Sequence, residues 1–171
     1  PSVRGGVDFG MPLPMHNSSI WLYTAAGAVG GEHASPLSAW YMGAFGNNYV
    51  DDREVKRYRE FDSFPGFEIN QIEAQTFARA MGEINLPPVR FEDVGIASLF
   101  LSSVRPALFA GALEAEPRFG DRRSLQTLGL QTDWNFTVAH RLPMTLSVGY
   151  ARGFEDGDSA SDEVLVSLKI M

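Results

Sequence analysis

The sequence contains no cysteine in its 171 residues. A disulfide framework and a thiolate metal site are therefore closed to it. The absence suits export through an oxidising compartment, although many cytosolic proteins share it. Long hydrophobic runs are also missing. The longest candidate, Ile20–Val29, contains Thr24 and Gly27 and falls short of the ~18 continuous apolar residues expected of a membrane helix. Any membrane crossing would have to be made by strands. Positive charge is scarce. The net formal charge is −7, and the basic cluster Arg53, Lys56, Arg57 and Arg59 is interleaved with Asp51, Asp52, Glu54 and Glu60. A general nucleic-acid binder needs a clean basic stripe, so no nucleic-acid partner is expected.

Familiar catalytic patterns are missing too. There is no G-x-S-x-G elbow, no phosphate-binding Walker loop and no H-E-x-x-H. His16, His33 and His140 are scattered over turn regions, without metal-ligand spacing. Glu155, Asp156, Asp158, Asp162 and Glu163 cluster with Gly157 and Ser159, but they lack the full calcium-loop pattern. A solvated loop is the better reading of that stretch. The sequence implies no enzyme, no metal and no cofactor. The chain begins at Pro1 without a leader, which reads as a cut, processed or partial chain.

What is present is strand chemistry. The chain is 44% hydrophobic and 12% aromatic, with 17 Gly and 10 Pro, a composition that excludes disorder and favours many strands and turns. Period-two alternation is the strongest signal. Val164, Val166, Leu168 and Ile170 alternate with Leu165, Ser167 and Lys169. Met144, Leu146, Val148 and Tyr150 alternate with Thr145, Ser147, Gly149 and Ala151. Leu128, Leu130, Trp134 and Phe136 alternate with small or polar residues. A soluble strand turns its apolar face inward, whereas a membrane-barrel strand turns it to lipid. Strand-like segments are Val3–Leu13, Ser19–Gly30, Leu37–Gly46, Gln75–Leu86, Gly95–Leu113 (interrupted by Pro106), Leu125–Val138, Met144–Phe154 and Glu163–Met171. Several exceed the ordinary soluble strand length of about five or six residues. Trp21, Tyr23, Trp40, Tyr41, Trp134 and Tyr150 lie near their flanks, as interfacial girdles or as core.

Pro12-Leu13-Pro14, Leu86-Pro87-Pro88 and Leu142-Pro143 close strands, because Pro cannot donate to a ladder. The stretches Glu114–Arg123 and Glu155–Glu163 read as longer polar connections. Alternating short and long connections fit a membrane barrel. Asn47–Ala74 breaks the pattern. Its charges leave neither alternate face apolar, and Arg59-Glu60-Phe61-Asp62-Ser63-Phe64-Pro65-Gly66-Phe67 combines charge, three Phe and a Pro-Gly turn. It reads either as a loop folded back on a wall or as an ordinary surface loop.

From Tyr49 onward the chain resembles the C-terminal barrel region of the bacterial surface-antigen superfamily, the outer-membrane assembly and translocation barrels. There a long loop folds into the lumen with an Arg-Gly-Phe or Arg-Gly-Tyr motif, and five strands follow. Here Arg59-Glu60-Phe61 occupies the motif's place, Glu60 stands where the family has Gly, and five strand-like segments follow. Glu83-Ile84-Asn85-Leu86-Pro87 is similar to the family's strand with an inward acid and a Pro turn. The final Lys169-Ile170-Met171 departs from the usual aromatic end.

The resemblance implies an all-β, antiparallel transmembrane β-barrel in the bacterial outer membrane. About eight strands would be present, half of a sixteen-stranded barrel, with a long in-folded loop at about 47–74. It implies a role in protein insertion, translocation or anchoring of an attached domain. The partners would be outer-membrane lipid, a client polypeptide and the remainder of the barrel. It also implies that Arg59 reaches an acid on the inner wall, Glu83 or Asp133; pairing with Glu60 or Asp62 in solvent is the alternative. A complete eight-stranded barrel and a soluble β-rich binding domain remain alternatives for the whole. Counting strands back from the C-terminus puts the Pro12–Asn17 turn at the outer end, against its Pro-rich shortness.

Overall fold

Successive side chains of a strand point to opposite faces, so the alternation in this sequence sorts its residues into two unlike surfaces. A computed structural model describes residues 1–30, 39–45, 55–96, 98–156 and 158–170. The strands are β1 Ser2–Pro12, β2 Ser19–Val29, β3 Trp40–Met42, β4 Ile72–Ala74, β5 Thr76–Asn85, β6 Val89–Ile96, β7 Leu99–Glu116, β8 Arg123–Val138, β9 Leu142–Glu155 and β10 Asp158–Ile170. The fold is all-β. One antiparallel sheet of eight strands runs β1-β2-β5-β7-β8-β9-β10, with β6 also on β7, and β3 pairs β4 separately. The sheet is open, with β1 and β10 as its two ends.

Several boundaries differ from the sequence expectation. Among its described residues, the segment Leu37–Gly46 adds no strand to the main sheet. Only Trp40–Met42 is strand, paired to Ile72–Ala74; Leu37, Ser38 and Gly46 lie outside the described residues. Removing that strand resolves the parity conflict. Connections 13–18, 97–98 and 139–141 now share one end, and 30–75, 117–122 and 156–157 share the other. Gly95 belongs to β6, not to the strand that follows it. The stretch Glu155–Glu163 is mostly strand, because Asp158–Glu163 pairs with β9. Leu142-Pro143 opens β9 rather than closing a strand. The charged run Asp51–Glu54, His33 and Met171 lie outside the described residues.

Pro106 does not end β7, and the reason is local. Its carbonyl accepts from the Leu86 amide at 3.0 Å. In an extended strand a residue's N–H and C=O point the same way, so the amide hydrogen that Pro lacks would face the same neighbour. That neighbour is interrupted there. β5 ends its pairing at Asn85↔Ala107 and β6 begins at Val89↔Val104. Leu86-Pro87-Pro88 bridges the gap, so β5 and β6 lie end to end along β7 and the missing donor costs little.

One face of the sheet is open and apolar. It carries Val3, Val7 and Phe9 on β1, Leu128 and Leu130 on β8, and Val164, Val166 and Leu168 on β10, with Val166 69% exposed. The other face is covered by residues 39–45 and 55–74, which fold back across it. Its core has two parts. Phe64, Phe67, Met42 and Ile72 of the cover pack on Phe77, Leu113, Ala115 and Leu125. Phe45 and Tyr58 pack on Met81, Phe109 and Ala151. Phe109 stacks on Tyr58 at 4.2 Å between centroids and meets Phe45 edge-on at 5.8 Å. Gly129 makes room for it, since a Cβ there would lie 2.3 Å from the Phe109 ring. We expect Phe109→Ala to lower stability by about 3–5 kcal/mol in urea unfolding, and Val166→Ala on the open face to cost far less.

Candidate functional site

Polar groups withdrawn from water must be paired, and the covered face shows where the cover is tied down. Residues Arg57–Arg59 form one 3₁₀ turn. The turn delivers Lys56 and Arg59 to one carboxylate on β5. Arg59 Nε donates to Glu83 Oε2 at 2.8 Å and Nη2 donates to Oε1 at 2.6 Å. Lys56 Nζ lies 3.4 Å from Oε1 and also donates to Asn85 Oδ1. The Glu83 side chain is fully buried. The Arg fork matches both carboxylate oxygens, which fixes orientation as well as charge. Burial holds the Lys56 ammonium below its usual pKa, with the nearby Arg59 acting the same way and Glu83 and Asp133 opposing. Burial, then the Glu83 charge, push the Tyr58 phenol well above its ordinary range.

The structure thus brings Arg59 to Glu83 and not to Asp133. Asp133 Oδ1 instead accepts from Gln131 Nε2 at 2.6 Å and Ser147 Oγ at 2.8 Å. Phe61 packs edge-on against Phe77 at 5.5 Å and against Trp40 at 6.0 Å, with the Arg4 guanidinium 4.3 Å from its ring centroid. Glu60 has φ −59° and ψ 147°. That is extended backbone any residue adopts, so Glu in the place of Gly costs nothing there.

Arg79, two positions from Met81 and four from Glu83, is an anchor whose role the sequence does not reveal. It is 7% exposed. Nη1 donates to the carbonyls of Glu60 and Phe61, both at 2.9 Å, and Nη2 donates to the Tyr58 carbonyl at 2.8 Å. The Tyr58 carbonyl also accepts from Ser63 Oγ at 2.7 Å. One guanidinium therefore holds the backbone of the whole Tyr58–Phe61 bend. Its place on the polar face of β5 was visible in the alternation, but carbonyl acceptors leave no mark in a sequence.

The Pro65-Gly66-Phe67 tip is seated on the far strands. Thr127 Oγ1 donates to the Pro65 carbonyl at 2.6 Å. Glu163 accepts from two backbone amides, Phe45 at 3.0 Å and Gly66 at 2.9 Å, and Ser161 Oγ donates to the Gly66 carbonyl. The acid expected in a solvated loop is therefore a structural acceptor on β10. Gly66 has φ +89°, and a Cβ there would lie 2.4 Å from the Gly153 amide nitrogen. Both conformation and contact require glycine at the tip.

The arrangement ties the cover to the sheet at both ends. Among the described residues no three His, Cys, Asp or Glu side chains gather as metal ligands. Two consequences are measurable. Glu83→Gln removes the carboxylate that both cations share, whereas Arg59→Gln leaves Glu83 with Lys56. Breaking such buried pairs costs about 3–5 kcal/mol, so Glu83→Gln should lower the urea midpoint more than Arg59→Gln. Arg79→Gln should in addition speed proteolytic cleavage within residues 55–70, while Arg141→Gln should not.

No protein-family model matches the chain, and no curated protein and no solved structure was found to be similar to it.

Proposed function

We propose that the chain is part of an outer-membrane β-barrel of surface-antigen type, working in protein insertion or translocation or in anchoring an attached domain. The observation that carries the proposal is the inversion of the sheet. Its continuous apolar face is the exposed one, from Val3 and Val7 through Leu128 and Leu130 to Val164 and Val166. Its charged and polar side chains, Arg79, Glu83, Gln131, Asp133 and Ser147, lie beneath the cover. A water-soluble sheet would bury the first set. Hydrocarbon solvates it, and a lumen accommodates the second. Strand length agrees: β8, β9 and β10 span 16, 14 and 13 residues, above the ~9–11 that a tilted strand needs. Trp134 and Tyr150 lie on the apolar face, and the Tyr150 hydroxyl donates to Asp162 at 2.8 Å beside the Arg152–Asp162 pair. Those charges gather toward the end with the long connections.

The surface-antigen assignment adds the in-folded loop. The Arg59–Glu83 pair and five successive staves after the loop, β5 with β6, then β7, β8, β9 and β10, support it. On this reading the open edges of β1 and β10 are completed by further strands of the same barrel, and bilayer lipid covers the apolar face. The loop braces the lumen, while the edges serve a client polypeptide or the rest of the wall. No cofactor takes part.

Folding into phosphatidylcholine vesicles tests the reading. The expected result is a β-rich, protease-protected protein that stays with the vesicles through carbonate and urea washes. A monomer that folds in water without detergent and melts in two states would overturn it.

A further inference from the structure

Beneath the 3₁₀ turn, toward the short-connection end, the covered face opens into a cavity of about 700 Å³. Its wall includes Lys56, Arg59, Arg90 and Arg105 against the carboxylate of Asp133, with Asn135 beside them. Lys56 and Arg59 are committed to Glu83. Arg90 and Arg105 are not committed. Among the described residues neither makes an ion pair, a side-chain hydrogen bond or a ring contact, and Asp133, across the ladder from Arg105, gives its Oδ1 to Gln131 and Ser147 rather than to Arg105.

Arg90 and Arg105 are neighbours on the sheet. Arg90 pairs across the ladder with Ser103, and Arg105 lies two residues from Ser103 on the same face. That is a diagonal position, roughly 7–8 Å away. Like charges so placed repel each other, and a shared counter-anion would offset the repulsion. We propose that this cavity binds a phosphate-bearing anion held between Arg90 and Arg105. A carboxylate has two oxygens and saturates one arginine fork. A phosphate has enough oxygens to engage two forks at once. Asn135 stands at the wall, and its Nδ2, which gives one hydrogen to Ser103 Oγ at 3.2 Å, has a second to meet a remaining oxygen. The site uses residues the Arg59–Glu83 lock leaves over, and it does not depend on the bilayer reading.

The experiment is calorimetric titration of the folded 171-residue chain with inorganic pyrophosphate, in phospholipid-free detergent micelles or in water if the chain folds there. Saturable binding with one anion per chain is expected. Arg90→Gln and Arg105→Gln should each weaken it about tenfold. Both side chains are exposed, and an unchanged urea midpoint would establish that the variants fold. Arg141→Gln, in the 139–141 connection at the same end but off the cavity wall, should bind as the parent does. Repeating the titration with phosphatidylglycerol in the micelle identifies the source of the phosphate: competition assigns a lipid headgroup, and undiminished affinity assigns a free anion. No binding at millimolar pyrophosphate, or equal loss in all three variants, would overturn the proposal.

Discussion

Everything in this fold depends on a sheet that cannot cover its own polar face. The apolar residues have been given to the outside, so the face left behind carries charges, amides and hydroxyls alongside a patch of Phe, Met and Leu. Such a face needs a cover with the same division. Residues 39–45 and 55–74 supply it. Phe64, Phe67, Phe45 and Tyr58 meet the apolar patch, and the Lys56–Arg59 turn meets the acid at Glu83. The cover has little regular structure, only a three-residue ribbon and one 3₁₀ turn. Its order comes from the wall.

That dependence explains why backbone atoms of the cover are gripped so often. A segment without its own ladder leaves carbonyls and amides unpaired, and burial makes each one costly. Arg79 takes three carbonyls, Thr127 and Ser161 take two more, Gln131 takes the Val55 carbonyl and Glu163 takes two amides. The wall's polar residues thus act as a substitute for secondary structure in the loop. The same constraint explains the glycines at 66 and 153, where two backbones come closer than any Cβ allows.

Most of the sheet was legible in the alternation. β1, β2, β5 and β8 lie within a few residues of where period two puts them, because each is long and alternates cleanly. The rest was hidden for identifiable reasons. The Leu37–Gly46 segment has a strand-like composition, but Trp40, Met42 and Phe45 serve the cover rather than the wall. Most of β6, Val89–Val94, falls between the expected segments because Arg90, Glu92 and Asp93 break its apolar pattern, and only Gly95 and Ile96 were joined to the strand that follows. The acidic run before Val164 looked like loop since charge density was weighed over pairing, yet Asp158–Glu163 continues the β9 ladder. At the site, Arg59 stood out by the resemblance, with Glu83 or Asp133 as its implied partner. Arg79 and Glu163 did not, because their partners are backbone atoms that every residue has. Trp21 and Tyr23, candidates for a girdle or a core, lie on the covered side, stacked at 6.0 Å, for reasons of register that composition does not express.

The proline gap beside Pro106 divides the long β5–β6 edge into two mechanical units. The ladder ends at Asn85, with one last bond from the Leu86 amide to Pro106, and resumes at Val89, so separation of one stretch does not propagate residue by residue into the other. The β6–β7 arm can open as a subglobal unit while the stretch carrying Arg79 and Glu83 keeps its ladder. Deformation at the short-connection end is thereby absorbed at a fuse of three residues, and the lock that seats the loop is insulated from it.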